Sequence, residues 1–104
     1  MSQGENMAIV YEIDKELEEI VPAFMNSRKK DIESLKNFFA EKNYEEIRSI
    51  GHKVKGTAGS YEFMELSEIG GRLEKAASDH DDGALDKLIV EYEDHVNKID
   101  IKYV

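Results

Sequence analysis

The chain has 104 residues, no cysteine, 36% charged residues and a formal net charge of −9. That length supports one hydrophobic core and not two. Without cysteine there is no disulfide framework, thiolate chemistry or zinc–cysteine site. The acidity argues against nucleic acid and anionic membrane surfaces as partners, since both call for a basic surface. No apolar run approaches the roughly 20 residues of a membrane span. The N-terminal stretch lacks the basic flank and apolar segment of a signal peptide. The expectation is one cytoplasmic domain over residues 1–104, with 1–8 frayed and monomer as the default state.

The helical period recurs along the chain, and strand alternation does not extend over a useful length. A short first helix is expected over about Asp14–Ile20, with Asp14 as its N-cap and Ile13, Leu17 and Ile20 apolar. The single proline, Pro22, lacks a backbone N–H and suits the first turn of a second helix over about Pro22–Glu41. Its stripe is Phe24, Met25, Ile32, Leu35, Phe38 and Phe39, interrupted by Arg28. Asn43 followed by Glu46 is a capping-box pattern for a third helix running to about Tyr61. Phe63–Ser67 is expected to turn into a fourth helix, striped by Leu66, Ile69, Gly70, Leu73, Ala76 and Ala77. Its small residues would let a neighbouring helix pack closely. Ser78–Gly83 is a turn, and Asp81 or Asp82 caps a fifth helix carrying Leu85, Leu88, Ile89, Tyr92, Val96 and Ile99. The fold class is therefore all-α: an antiparallel up-down four-helix bundle with a short additional N-terminal helix.

The third helix carries the unusual feature. At about 100° per residue, Ile47, Ile50, Gly51, Val54, Ala58 and Tyr61 share one side. His52, Gly56, Gly59 and Phe63 share the opposite side, and Lys55 lies one turn from His52. Glycine inside a helix costs about 1 kcal/mol relative to alanine. Two glycines beside a solvent-facing histidine therefore suggest clearance for another molecule. Arg48, Lys53 and Lys55 give this acidic chain a local positive field that could hold an anion there. A normally solvated helix surface explains the same charges with less chemistry. His80 and His95 are taken as surface residues. The residues three before each histidine are Ser49, Ala77 and Tyr92, so the Glu-x-x-His pairs of a di-metal bundle are missing. An outward His52 also disfavours haem. Neither a nucleophilic triad, nor a phosphate-cradling glycine loop, nor a kinase-type ATP site can be assembled.

The run His52-Lys53-Val54-Lys55-Gly56-Thr57-Ala58-Gly59-Ser60-Tyr61-Glu62-Phe63 resembles the motif of the histidine-containing phosphotransfer (HPt) domain family. Histidine, lysine and both glycines hold their spacing, and the resemblance extends over about Leu17–Val96, including Leu73-Glu74. It implies a phosphocarrier in a two-component phosphorelay, not an enzyme. His52 would accept a phosphoryl group at Nε2 from an aspartyl phosphate of a receiver domain, or from a histidine kinase, and pass it to a response-regulator aspartate. Lys55 would contact the phosphoryl oxygens. Lys53, Gly56, Gly59, Phe63 and Arg48 would face the partner. The partners would be receiver domains of response regulators or hybrid sensor histidine kinases. They would supply the Mg²⁺, and the chain itself would hold no cofactor or metal. Glu62 departs from the family pattern, which often has glycine or another small residue there. The alternative is an HPt-like helical interaction module without phosphotransfer. The sequence names neither the kinase and regulator served nor the direction of phosphate flow.

Overall fold

The computed structural model describes residues 8–104. The expectation of a frayed end falls, for residues 1–7, outside the described residues. Four helices form the body: α1 (Val21–Ala40), α2 (Tyr44–Ser60), α3 (Met64–Ser78) and α4 (Asp82–Lys98). The expected stripes face inward. Phe24, Ile32, Leu35, Ile47, Val54, Ala58, Leu66, Leu73, Leu85, Tyr92 and Val96 are all buried in one core.

The three connections between helices repeat one geometry. Each helix ends in paired bonds from the next residues back to its last turn: Lys42 N–H to Phe39 O and Asn43 N–H to Phe38 O after α1. After α2, Glu62 N–H reaches Gly59 O and Phe63 N–H reaches Ala58 O. After α3, His80 N–H reaches Ala77 O and Asp81 N–H reaches Ala76 O. This double bond pattern is the Schellman motif, which needs a left-handed residue after the cap. Lys42 (φ 57°), Glu62 (φ 74°) and His80 (φ 53°) fill that position, and none is glycine. The following residue starts the next helix. Asn43 accepts the Glu46 N–H, and Asp81 accepts the Ala84 N–H, as its acceptor side chain allows. Only half of the expected capping box forms, because the Asn43 N–H is already given to Phe38 O.

The N-terminal segment differs from expectation. In place of the helix expected over Asp14–Ile20 there is only a single 3-10 turn at Lys15–Leu17, capped by Asp14, and ahead of it lies a strand, β1 (Ile9–Ile13). The fifth apolar stripe also stops short. Ile99 leaves α4 in an extended conformation and begins β2 (Ile99–Tyr103), which pairs in parallel with β1, Ile9 opposite Ile99 and Ile13 opposite Tyr103. The two strands join both ends of the described chain over one end of the bundle. Each has the period-2 pattern of a half-buried strand, apolar at Ile9, Tyr11, Ile13 and at Ile99, Ile101, Tyr103. At five residues, each is too short to announce itself alone.

α2 and α3 meet more closely than any other pair of helices. A Cβ added at Gly51 would lie 2.6 Å from Glu74 N and 2.7 Å from Gly70 O. One added at Gly70 would lie 2.7 Å from Lys55 N. No side chain fits between these backbones, so glycine on both helices is what lets them touch.

Candidate functional site

His52 stands on the surface of α2, one residue past the Gly51 contact. Its side chain is 73% exposed. The close crossing of α2 and α3 brings Glu74 within reach, and Nδ1 of His52 lies 3.0 Å from Glu74 Oε2. A carboxylate only accepts, so the ring donates and Nδ1 carries the proton. The lone pair is then on Nε2, which has no hydrogen-bond partner among the described residues. A neutral imidazole held in this tautomer offers Nε2 as a nucleophile to the outside.

Lys55 lies on the α3 side of His52. Its aliphatic stem runs beside Gly71, whose missing side chain leaves the room: a Cβ there would sit 3.5 Å from Lys55 Cδ. Among the described residues neither Lys55 nor Lys53 has a carboxylate within ion-pair distance, so both ammonium groups are available to an anion. Arg48 is committed elsewhere. Its guanidinium donates to Glu45 at 2.6 Å, and this bond, with a smaller contribution from Glu74, raises its pKa further.

The glycines separate in role. A Cβ at Gly56 would meet nothing within 4 Å, so this position is open to an approaching molecule. Gly59 is half-buried, and a Cβ there would sit 3.3 Å from Ser67 Oγ. Its clearance serves α3 as well as the outside. Phe63 requires a correction. It does not share the outer face with His52 but is fully buried, stacked on Phe24 and edge-on to Tyr11. The helical projection carried α2 too far: it ends at Ser60, and the left-handed Glu62 turns the chain so that Phe63 points into the core.

On the other flank of His52, α1 and α2 enclose an open groove of about 410 Å³. Ile20, Ala23 and Phe24 form one wall, Lys53, Thr57 and Tyr61 the other, with Arg28 at its base and Glu19 on the rim. Ile20 is 43% exposed. Arg28 is buried, and its charge is matched internally by Asp31 at 2.8 Å, which also accepts the Tyr92 hydroxyl at 3.0 Å. The groove thus presents an apolar wall, Ile20, Ala23 and Phe24, across from a free lysine.

The model of the Hpt domain family matches residues 12–100. The chain belongs to the Hpt domain family. Hpt domains are phosphotransfer modules of two-component signalling, phosphocarriers and not enzymes, and they work with receiver domains and histidine kinases. No curated protein and no solved structure matched the chain. Among the described residues of this Hpt domain, no helix is long and apolar enough to cross a membrane.

Two residues at this candidate site were given no role in the sequence, Glu74 having been named only as part of the resemblance and Gly71 not at all. Glu74 orients the histidine and Gly71 makes room for the lysine. Both lie on α3, so nothing near His52 in the sequence points to them. His95, taken above as a surface residue, is buried in α4. His80 is exposed as expected and stacks on Tyr44.

Proposed function

We propose that His52 is the phosphoryl-accepting residue of this Hpt domain. The observation that carries the reading is the exposed imidazole with Nδ1 occupied by Glu74 and Nε2 free. In the proposed transfer the Nε2 lone pair attacks the phosphorus of an aspartyl phosphate. The N–P bond forms as the acyl P–O bond breaks, and the aspartate leaves as a carboxylate. The Nδ1 proton stays on the ring, where the Glu74 carboxylate offsets the positive charge that develops. Passing the group on to another receiver is the same step reversed. Lys55 pairs with the phosphoryl oxygens by charge. The receiver covers Gly56 and seats on the groove beside Lys53.

The finer organisation follows from the same reading. The helices are antiparallel neighbours, supported by the short connections Glu41–Asn43, Tyr61–Phe63 and Asp79–Asp81. The domain acts as a cytoplasmic monomer without a cofactor of its own, and Mg²⁺ belongs to the receiver.

The experiment is phosphoryl transfer from a panel of phosphorylated receiver domains with Mg²⁺. Acid-labile, alkali-stable phosphate on the wild type and none on a folded His52→Gln variant is the expected result. Label retained by His52→Gln would overturn the assignment. A folded wild type that takes no label from any receiver or histidine kinase offered would favour an interaction module.

A further inference from the structure

The two-stranded sheet at the end of the bundle has an open edge along β2. The Val104 N–H reaches Ile13 O at 2.9 Å, and the Lys15 N–H reaches Val104 O at 3.0 Å. Val104 therefore turns both backbone groups toward β1. Residues of a parallel ladder alternate in this respect, so Asp100 and Lys102 do the same, while Ile99, Ile101 and Tyr103 turn theirs away. The Ile99 N–H closes α4 on Val96 O. Among the described residues, the Ile99 C=O and both backbone groups of Ile101 and Tyr103 have no hydrogen-bond partner. Such a row is a template for a further strand.

The side chains of this strand are incompletely covered as well. On β1 the inward residues Tyr11 and Ile13 are buried, whereas on β2 the inward residues Ile99, Ile101 and Tyr103 are only half-buried. Asp100 and Lys102 are exposed on the outer face, and neither has an ion-pair partner among the described residues. The strand reads Ile-Asp-Ile-Lys-Tyr. About Ile101 its apolar residues are symmetric and its charges are opposite.

We propose that β2 pairs antiparallel with β2 of a second copy, Ile101 opposite Ile101, making a four-stranded sheet. In that register the two Ile101 residues exchange both backbone bonds, and each Tyr103 N–H donates to the Ile99 C=O of the other copy. Asp100 falls opposite Lys102 twice, at positions without a backbone bond, where facing side chains approach most closely. The inner row gains Ile101 on Ile101 and Ile99 on Tyr103. The outer edge of β1 has no such fit. Pairing it on itself about Tyr11 would set Glu12 against Val10, and the Glu62 carboxylate already takes the Asp14 N–H on that edge. The pairing uses nothing of His52 and does not rest on the proposed function, for which one copy remains the unit of transfer.

Sedimentation equilibrium at low salt, between about 10 µM and about 1 mM as suits a weak contact, should show the mass rising from one chain toward two. Asp100→Lys and Lys102→Asp both alter exposed side chains, and each should weaken association on the order of tenfold, because two attractive pairs become repulsive. A mixture of the two variants should associate at least as well as wild type, since each then meets opposite charges. Amide protection of Ile101 and Tyr103 should rise with concentration, and that of Val10 and Glu12 should not. A chain that stays monomeric throughout overturns the proposal and leaves the edge to a strand of another protein. Association that neither variant weakens, that mixing does not restore, or that protects other amides alone overturns it too and puts the contact on another face.

Discussion

Glu74 on α3 accepts a hydrogen bond from Nδ1 of His52 on α2, at 3.0 Å, across a crossing where the two backbones touch. The two facts are one design. A glutamate side chain is short, and it meets the imidazole because Gly51 and Gly70 leave nothing between the helices.

Glu74→Ala should therefore leave the fold intact and slow phosphoryl acceptance roughly tenfold to a hundredfold, the usual scale for losing orientation of a reacting group. Glu74→Gln keeps an acceptor for the Nδ1 proton and should recover part of the rate. The imidazole nitrogen shifts of His52 supply the second readout, since the Nδ1–H tautomer should lose its dominance only in the alanine variant. Equal rates and an unchanged tautomer ratio across the three proteins would show that Glu74 plays no positioning part.

Two glycines on the same helix should respond in opposite ways. Gly51→Ala places a methyl group 2.6 Å from the backbone of Glu74, and overpacking of this kind costs about 1–3 kcal/mol. Gly56→Ala meets only open space and should gain up to about 1 kcal/mol in helix propensity. Denaturant unfolding measures both. Gly56→Ala should also transfer phosphate more slowly if a receiver passes close over it. A Gly51 variant as stable as wild type would remove the close-crossing explanation of the Glu74 contact.

The helices were legible because their apolar stripes repeat over many turns, and Pro22, Asn43 and Asp81 mark their starts. The strands were not. Ile9–Ile13 and Ile99–Tyr103 each offer five residues of alternation, and each needs a partner from the far end of the chain to become a strand. Ile99 also falls in register with the apolar period of α4, so the helix reading absorbed it. His95 had a signal that went unused. It follows Leu88 and Tyr92 at helical spacing, on the face that α4 buries. Arg28 likewise follows Phe24 and precedes Ile32 and Leu35. In both cases polarity was allowed to outweigh position.

Glu62 departs from the glycine or small residue that the resemblance leads one to expect, and its φ of 74° gives the reason glycine suits the position. Left-handed backbone costs ordinary L-residues about 1–2 kcal/mol. Here the Glu62 carboxylate also accepts the Asp14 N–H at 3.2 Å, so part of that cost is offset. Glu62→Gly should fall within about 0.5 kcal/mol of wild type, trading strain relief for the lost bond and added chain entropy. Glu62→Val loses the bond and keeps the strain, and should be destabilised by about 1–2 kcal/mol. Thermal unfolding of the three proteins decides it. A valine variant matching the glycine one would mean that the connection relaxes out of its left-handed form.

The site was legible where its chemistry is local and illegible where it is assembled. His52, Lys55 and Gly56 lie within five residues, and their pattern carries a resemblance on its own. Glu74 stands 22 residues from His52, and only the packing of α3 on α2 brings them together. Phe63 was misplaced for a related reason. Helical projection assumes the helix continues, and the chain turned at Glu62.

At the far end of the bundle Asp82 ties two connections together, accepting the Tyr44 hydroxyl at 2.6 Å and the Lys42 ammonium at 2.9 Å. Both bonds hold its carboxyl below the ordinary value of 3.8, the Tyr44 bond foremost. The Lys42 ammonium shifts upward from the same contact, so the two partners agree in direction. A carboxyl depressed in the folded state contributes stability that is present above its unfolded pKa and is lost as pH falls through the folded value. The stability difference between wild type and Asp82→Asn should therefore be constant between about pH 5 and pH 8 and shrink steadily below about pH 4. Unfolding temperatures of the two proteins across that range check it. The charged pair, Lys42 and Asp82, is exposed, so high salt should flatten the difference as well. A difference that persists undiminished well below about pH 3 would mean that Asp82 acts through its shape as a hydrogen-bond acceptor and not through its charge.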